Sequence, residues 1–457
     1  MAGKMYDILL LGSTGFTGQM VLEYFLKNYE KEIKNEKIKI LCAVRDINKL
    51  NKYLSYLKEE EKISNIEKIH LKDNVNATSY ESVLSCCKLC KVVINTVGPF
   101  TLYGYNIVKA CIESNCHYID VSGEHNFILN IYKEFDKTAK EKKLKIIHSA
   151  SFISAVSDIG NYIIQNEFIK KYKKPCSYVR IRLSKEGHEH RTISSGTLRS
   201  FLLARKYIHN RYNKYFLCNN KYDVGELKDN KYNFVLNKIN EEKNKYFFSD
   251  YEKEFGYCSD TIYSHIEEAY ILWSNYLLNY KYGKNLIVNF KQYDTKLSTT
   301  MYIIKKVFSF LFAPFKYVFF NSYIINKYIE LFHIPKTAKE LKKSHWSVSV
   351  VGELYDLEKE DDKSNKQKKS DTNNKNTKQI TDNKQDKNSV EKKMVLHMKG
   401  QNEDAGYLLS AKIIAEGALS LLQSKLPDKF GVISVSVGLG NALVERLKNA
   451  LINIYFE

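Results

Sequence analysis

The sequence predicts an α/β fold built on a doubly wound parallel sheet of the Rossmann type. Short apolar runs alternate with amphipathic helical segments up to about residue 160, which is typical of parallel strands joined by right-handed crossovers. The first apolar run, at residues 8–11, is followed by Gly12, Gly15 and Gly18 and then by helical periodicity in QMVLEYFLKNY. A strand, a glycine turn and a helix in this order predict a loop that binds the pyrophosphate of a dinucleotide.

Each glycine of this turn has a physical reason. Gly12 lets the chain leave the strand sharply, Gly15 lets the backbone approach a phosphate, and Gly18 lets the helix pack close to the sheet. Unpaired N–H groups and the positive dipole end of the following helix would then hold the phosphates. The candidate cofactor loop comprises Gly12, Ser13, Thr14, Gly15, Phe16, Thr17 and Gly18. Because the spacing is GxxGxxG and not GxGxxG, a glycine-rich turn without a ligand is the alternative.

The end of the second predicted strand bears on which nicotinamide cofactor binds. KIKILCAVRD at residues 37–46 predicts a buried strand, and Arg45 stands where NAD-binding folds usually place an acidic side chain. A guanidinium suits the 2′-phosphate of NADP through charge-assisted, often bidentate hydrogen bonds, so NADP(H) is favoured over NAD(H). Asp46 beside it keeps NAD(H) open, and a solvent-facing arginine without a ligand is the structural alternative.

Further candidate site residues lie at the predicted carboxyl edge of the sheet. The strand at residues 91–97 runs into Asn-Thr-Val-Gly-Pro, beside the expected cofactor. The predicted cofactor contacts there are Thr96, Val97, Gly98 and Pro99. A reductase also needs an acid that delivers a proton, for which Tyr103, Glu124 and His125 are the candidates. The Glu124 carboxylate could instead hold its loop or a ribose.

After about residue 174 the pattern changes and predicts a second domain. Ser195 and Thr197 stand at the start of a helix capped by a hydroxyl residue, where they are candidates to hydrogen-bond a substrate carbonyl. Residues 346–354 and 394–400 alternate as two strands of a hairpin. The tract between them, residues 356–393, holds 11 basic and 9 acidic residues and almost no apolar ones, so we predict a disordered insert.

Composition bounds the class of protein. The 457 residues suffice for two or three domains. The net charge of +19 raises nucleic acid as a partner, but no nucleic-acid-binding motif accompanies it, so none is expected. Nine cysteines, mostly in apolar contexts, and the lack of a cleavable signal predict a protein of a reducing compartment that is not secreted. The CCxxC cluster at 86–90 lacks a second pair and the HEH at 188–190 lacks a third ligand, so no metal is expected.

A second informative stretch is IIKKVFSFLFAPFKYVFFNSYII at residues 303–325. Lysines interrupt it, so its uncharged runs are shorter than the roughly 18–20 residues that span a bilayer. It lies within residues 280–345, which hold 12 basic against 3 acidic residues, and aromatics between lysines suit a segment at a membrane interface. The alternative is a buried helix or a contact in a homodimer. We therefore expect a membrane surface as a partner of residues 303–325.

LLLGSTGFTG, NTVGPFTLYG, YIDVSGE and NEDAGYLLSAKI together resemble the saccharopine dehydrogenase-like oxidoreductases, which include trans-acting enoyl reductases of bacterial lipid synthesis. The resemblance implies an NAD(P)-binding Rossmann domain at residues 1–160, interrupted by a mixed α/β domain at 174–400, with helices at 401–457 that return to the first domain. Eukaryotic members look like lipid-droplet or membrane-associated proteins, with a hydrophobic segment near 303–325. The resemblance therefore implies the cytoplasmic side of a membrane or lipid droplet, with a mitochondrial location left open. The family's Gly-Phe-Asp-Ser-x-Pro-x-Asp loop is replaced here by SFISAVSD at 151–158, which leaves hydride transfer open.

Three functions are compatible with these patterns. The first is an NADP-dependent reductase of a lipid-linked carbon–carbon or carbon–nitrogen double bond, in lipid or glycolipid metabolism. The second is a soluble saccharopine-type amino-acid dehydrogenase, which should place arginines for substrate carboxylates. The third is a non-catalytic lipid-surface protein that keeps a nucleotide, as the altered loop at 151–158 would allow. Because the basic residues cluster beside an aromatic apolar segment, the first ranks above the second.

Overall fold

The computed structural model describes residues 3–187, 193–205, 216–218, 250–293, 298–311, 327, 338–355 and 392–457. Within these residues the chain forms two seven-stranded sheets with helices packed on them. The predicted insert lies almost wholly outside the described residues, as do the HEH at 188–190 and residues 312–325 of the lysine-flanked aromatic stretch.

Seven strands, numbered along the chain, form the first sheet: β1 Tyr6–Leu11, β2 Ile40–Ala43, β3 His70–Lys72, β4 Cys90–Asn95, β5 His117–Asp120, β6 Lys145–Ile147 and β13 Gly431–Ile433. They run parallel in the order β13-β6-β5-β4-β1-β2-β3. The order reverses between β1 and β4, where sheets of this kind bind dinucleotides. Residues 8–11 are 0–1% exposed, as expected for a strand covered on both faces. The predicted fold class is confirmed.

Helices connect these strands: α1 Phe16–Asn28, α2 Glu30–Lys34, α3 Ile47–Glu59, α4 Tyr80–Cys87, α5 Phe100–Glu113 and α6 His125–Glu141. Their starts have local causes. The Asp46 side chain accepts a hydrogen bond from Asn48 N at 3.0 Å and so caps α3. Ser79 caps α4 in the same way, by accepting from the backbone N–H of Ser82. These caps fix where α3 and α4 begin.

The second sheet is mixed: β7 Tyr178–Glu186, β8 Tyr251–Glu252, β9 Gly256–Ser259, β10 Ile287–Tyr293, β11 His345–Leu354, β12 Lys392–Gln401 and β14 Asn453–Phe456. Its order is β14-β12-β11-β7-β10-β9-β8, and β7 and β10 pair in parallel. Strands β11 and β12 pair antiparallel from His345 opposite Gln401 to Leu354 opposite Lys392. The predicted hairpin on either side of the insert is therefore confirmed.

Helices of the second half of the chain are α7 Phe152–Tyr172, α8 Ser195–Arg205, α9 Ser264–Leu277, α10 Thr299–Leu311, α11 Ala338–Leu341, α12 Leu408–Gln423 and α13 Val435–Asn449. Helix α7 leaves the first sheet and lies on the second one. Its Gly160 is so close to β11 that an added Cβ would be 2.7 Å from Val350 Cγ2. The two sheets thus share one continuous hydrophobic core.

The C-terminal part of the chain returns to the first domain and then leaves it again. Helix α12 packs on α1, and β13 adds a strand beside β6. The pattern at 441–454 predicted a helix to residue 454, and this is wrong: α13 ends at Asn449. Leu451 has φ 68°, which breaks the helix, and the β-branched and aromatic residues after it pair with β12 as β14. The last strand therefore belongs to the second sheet.

Candidate cofactor and active site

The glycine turn between β1 and α1 is formed as a cradle with no room for side chains. Gly12 has φ 89°, which an L-residue adopts only with strain, and a Cβ there would overlap Thr96 Oγ1. A Cβ on Gly18 would overlap the carbonyl group of Gly12. Gly15 N donates to Gly12 O at 2.9 Å and closes the turn. Two of the three glycines are therefore required by the close approach of β4 and α1.

The N-terminus of α1 is open to an anion. Its N-cap residue, Gly15, has no side chain to accept a hydrogen bond, and the first turn holds no acidic residue. The backbone donors of a helix start and its dipole are then available to a phosphate. This combination of a cradle without Cβ atoms and an uncapped helix start fits the pyrophosphate of a dinucleotide. The predicted loop residues Ser13, Thr14, Phe16 and Thr17 complete the same turn.

The end of β4 lies directly against this turn. Thr96 N and Thr96 Oγ1 both donate to Leu11 O, at 3.0 and 2.9 Å. Val97 N donates to Asn95 Oδ1 at 2.9 Å, which orders the backbone that follows the strand. The structure thus brings the predicted residues Thr96 and Val97 together with the glycine turn, as their position after a neighbouring parallel strand requires.

Arg45 and Asp46 have different surroundings at the end of β2. The Asp46 carboxylate is occupied by the cap of α3. The Arg45 side chain is exposed, and no hydrogen bond or ion pair of it occurs within the described ranges. An acidic residue engaged by its own helix is a poor acceptor for a ribose hydroxyl, whereas an exposed guanidinium can meet a 2′-phosphate. The arrangement fits NADP(H).

Helix α8 of the second domain reaches the cofactor edge. An added Cβ on Gly98, which precedes Pro99, would be 3.4 Å from Ser200 Oγ. Thr197 Oγ1 lies 3.2 Å from Tyr407 OH, and the Tyr407 ring meets the Phe16 ring edge-on at 4.7 Å. Ser195, the first residue of α8, is half-buried beside them. Of the two predicted substrate residues, Thr197 is therefore separated from the nucleotide turn by the Tyr407 side chain alone.

The three candidate acids differ in whether they could donate a proton. The Glu124 carboxylate is buried and accepts Phe100 N and Thr101 N, both at 2.8 Å, so it caps the start of α5. Burial, with His265 nearby, lowers the pKa of His125 to about 3, so this imidazole carries no proton to donate near neutral pH. Tyr103 is half-buried on α5. The contacts of Glu124 are thus those of a residue that positions the start of α5. A catalytic role for Tyr103 stays a prediction.

A buried polar chain at the carboxyl ends of β5 and β6 was not predicted. Asp120 Oδ2 bonds His148 Nδ1 at 2.7 Å and accepts from Tyr118 OH at 2.8 Å, while Asp120 Oδ1 accepts Ser149 N at 3.0 Å. Asn95 Nδ2 donates to Tyr118 OH at 2.9 Å and extends the chain to β4. The polar ends of the YID and IIH strand patterns are the sequence signal that could have identified it. These buried hydrogen bonds join the carboxyl ends of the three adjacent strands β4, β5 and β6.

The altered stretch at 151–158 forms an ordered, buried turn and helix start. Phe152 N donates to Ser410 Oγ at 2.9 Å, and Ser154 N donates to Glu267 Oε2 at 2.9 Å. Asp158 Oδ2 accepts Ser436 N at 2.8 Å, and burial raises the pKa of this carboxyl to about 6. The stretch is thus held by α9, α12 and α13, three helices distant in sequence. The glycine, aspartate and proline of the resembled loop are absent here, and hydrogen bonds with the second half of the chain hold the turn.

Among the described residues no cluster of ligating side chains could hold a metal ion. All nine cysteines are buried and form no disulfide. The backbone between α4 and β4 is held by a buried thiol, since Cys116 Sγ donates to Cys87 O and Cys90 O at 2.9 and 3.0 Å. Nor does any helix of the described residues combine the length and apolarity needed to cross a bilayer.

Comparisons with known proteins agree with this site. Residues 8–150 match the family model of the saccharopine dehydrogenase NADP-binding domain. A Caenorhabditis elegans protein named lipid droplet localized protein is 27% identical over 200 residues, which are 43% of this chain and 44% of the relative. The human saccharopine dehydrogenase-like oxidoreductase is 29% identical over 200 residues, 43% of this chain and 45% of the relative. The matches thus span under half the length of these relatives.

A solved structure extends the likeness in fold to the whole chain. Saccharopine dehydrogenase (L-Glu forming) from Saccharomyces cerevisiae superposes with a TM-score of 0.51, covering 99% of each chain at 9% identity. At that identity the likeness concerns the fold alone. The NADP-binding domain model confirms the predicted preference for NADP(H). In its nucleotide-binding domain, residues 8–150, the chain thus resembles the saccharopine dehydrogenase-like oxidoreductases.

Proposed function

We propose that this protein is an NADP-dependent oxidoreductase that reduces a lipid-linked carbon–carbon or carbon–nitrogen double bond at a membrane or lipid-droplet surface. NADPH, when bound, supplies the hydride. The residues of the glycine turn and Arg45 would hold its phosphates, and Thr96 to Pro99 would lie beside the nicotinamide half. Helix α8 closes the other side of the site, so the acceptor double bond would enter between the two domains.

The exposed apolar face of α10 is the observation that carries the lipid part of this proposal. Tyr302 faces inward and stacks on Tyr257 at 4.2 Å between ring centroids. Asp250 accepts from Lys306 at 2.8 Å and from the Tyr302 hydroxyl, which anchors the inner face of the helix. The opposite side carries Met301, Ile304, Val307 and Leu311, which are 43–60% exposed. A helix anchored by polar bonds on one side and apolar on the other suits insertion into the headgroup region.

The charge around this face supports an anionic lipid surface. Lys305 and Lys306 are exposed on α10, and residues 280–345 have a surplus of basic residues, 12 against 3. A lysine near an anionic leaflet contributes about 1 kcal/mol to binding, so several such residues with a buried apolar stripe hold a protein at the surface. The name of the nematode relative, lipid droplet localized protein, also supports a lipid surface as the partner.

Flotation with vesicles of phosphatidylcholine and phosphatidylserine tests the surface. We expect the intact protein to float and the double variant Ile304→Asp/Val307→Asp to stay in the dense fractions, because two carboxylates cannot enter the acyl boundary. Leu451→Asp, at an apolar side chain 87% exposed and distant in sequence, is the matched control and should float. Equal flotation of the double variant and the intact protein would sink the role of α10.

The reaction is tested separately by NADPH consumption with a total lipid extract in these vesicles. Loss of NADPH absorbance that requires the extract supports a lipid-linked acceptor. Consumption with an amino acid and an oxo acid, and none with lipid, would indicate a soluble amine dehydrogenase instead. No consumption with either, together with tight NADPH binding, would indicate a nucleotide-keeping lipid-surface protein.

A further inference from the structure

Glu267 is a buried carboxyl that the second domain places at the cofactor edge. It lies on α9 and is 1% exposed. Its Oε2 accepts a hydrogen bond from Ser154 N at 2.9 Å, although the two residues are 113 positions apart. Its Oε1 has no hydrogen-bond partner among the residues described in the structure. A buried carboxylate oxygen without a partner is costly, so the position calls for a functional reason.

The turn that Glu267 contacts follows β6 directly. Ser154 has φ 81°, a strained conformation for a serine, and the same turn is held from a second direction by Ser410 of α12, which accepts Phe152 N at 2.9 Å. Tyr407, three residues before Ser410, packs on Phe16 of the nucleotide turn. The contacts therefore link Glu267 to the cofactor loop. Strands β4 to β6 belong to the half of a Rossmann sheet that receives the nicotinamide.

The environment keeps a proton on Glu267. Burial is the main reason that its pKa is raised to about 8. Asp158 on α7 acts in the same direction, while the Ser157 side chain, the Ser154 N–H and Lys185 on β7 act in the opposite direction. The Lys185 ammonium lies 4.6 Å from the centre of the Phe152 ring and 5.6 Å from that of Tyr263. A carboxylic acid that is neutral at pH 7 can deliver a proton, which an ordinary glutamate cannot.

We infer that Glu267 is the general acid of the proposed reduction, because it is a buried carboxyl with an unpartnered oxygen at the turn after β6. This inference rests on the proposed function. In the reaction, hydride from NADPH forms a C–H bond at one atom of the double bond and the π electrons move to the other. That atom takes the proton from Glu267 Oε1, which leaves NADP⁺, a saturated bond and a carboxylate that regains its proton from water.

Labelling with the hydrophobic reagent dicyclohexylcarbodiimide tests this role without a substrate. The reagent attacks protonated carboxyls in apolar sites, so peptide mass spectrometry should locate the adduct on Glu267. We expect the labelling rate to fall about tenfold per pH unit above pH 8 and to drop at least fivefold when NADPH is present. No adduct at Glu267 at any pH, or labelling that NADPH does not slow, would overturn the inference.

Glu267→Gln gives the second test, with Glu416→Gln as its control. Glu416 is equally buried, at 2% exposure, but it binds Tyr24, Tyr29 and Arg446 far from the proposed reaction. Glu267→Gln should lower lipid-dependent NADPH consumption about 100-fold or more, and should bind NADPH within twofold of the intact protein. Unchanged consumption in Glu267→Gln refutes the inference, whereas an intact protein that consumes no NADPH but is labelled and protected as above counts only against the proposed substrate.

Discussion

The Tyr407 hydroxyl accepts a hydrogen bond from Ser194 N at 2.6 Å while the ring of the same residue meets Phe16 edge-on at 4.7 Å. The side chain of Tyr407, the residue just before α12, therefore joins the start of α8 to the first residue of α1. The nucleotide turn and the candidate substrate helix are coupled through it. This makes the two halves of Tyr407, its ring and its hydroxyl, separable by substitution.

Tyr407→Phe should loosen α8 and leave the cofactor in place, because only the hydroxyl bonds to Ser194 and Thr197 are lost. We expect faster proteolytic cleavage within residues 193–205 and an NADPH dissociation constant within about twofold of the intact protein. Tyr407→Ala also removes the ring from Phe16 and should weaken NADPH about tenfold, since an aromatic pair contributes about 0.5–1.5 kcal/mol. Equal NADPH affinity in both variants would contradict the coupling.

Gly12→Ala should abolish tight NADPH binding and lower stability, because the new Cβ meets Thr96 in a residue with φ 89°. Gly283→Ala is the matched control: Gly283 has the same φ of 89° but no atom within 4 Å of an added Cβ. The control should cost about 1–2 kcal/mol of unfolding free energy from the backbone strain alone. Urea unfolding and fluorescence titration with NADPH measure both. If Gly12→Ala lost no more stability or NADPH affinity than Gly283→Ala, the close contact between Gly12 and Thr96 would not be needed for cofactor binding.

Arg45→Asp should weaken NADPH about 10- to 100-fold and NADH much less, since a hydrogen bond to a charged group contributes about 1.5–3 kcal/mol. Lys49→Asp introduces the same charge at an exposed site on α3 and should change both affinities slightly and equally. Tryptophan-to-NADPH energy transfer reports the two dissociation constants. Parallel losses for NADPH and NADH in the Arg45 variant would show that Arg45 does not read the 2′-phosphate.

Glu124→Ala should lower the free energy of unfolding by about 1–3 kcal/mol, because the buried N–H groups of Phe100 and Thr101 lose their acceptor. Glu124→Gln keeps one acceptor oxygen and should retain most of the stability and the turnover. Thermal unfolding and NADPH consumption measured together separate the roles. A Glu124→Gln protein that is fully stable but inactive would point to catalysis by Glu124 after all.

The contribution of Asp158 to the free energy of unfolding should fall as the pH rises from about 4 to 6. Its folded pKa of about 6 lies above the ordinary 3.8, so the unfolded carboxyl ionises first and the stabilisation present below pH 3.8 is lost as the pH passes through 6. The loss is on the order of 3 kcal/mol at 1.36 kcal/mol per pKa unit. Asp158→Asn should lack this component. Urea midpoints of both proteins from pH 4 to 7 test it, and identical slopes would contradict the shift.

The nucleotide domain could be predicted from the sequence because its signals are local. A buried strand reads as a continuous apolar run, and the turn at 12–18 needs glycines whatever follows it. The start of α5 could not be located from nearby residues, because its cap is not beside it in sequence: Glu124 supplies it from 23 and 24 residues away. For the same reason the sequence could not show that Glu124, a candidate acid, caps this helix instead.

The sequence by itself determined the α/β class, the glycine turn, the preference for NADP and the hairpin around residues 356–391, since each depends on neighbours along the chain. Only the tertiary structure decided what surrounds that turn. The bond between Ser154 and Glu267 spans 113 positions, and the one between Phe152 and Ser410 spans 258. Periodicity and spacing carry no information about such pairs. They form because α7 packs on the second sheet and against α9, α12 and α13, which brings the ends of distant helices to one edge.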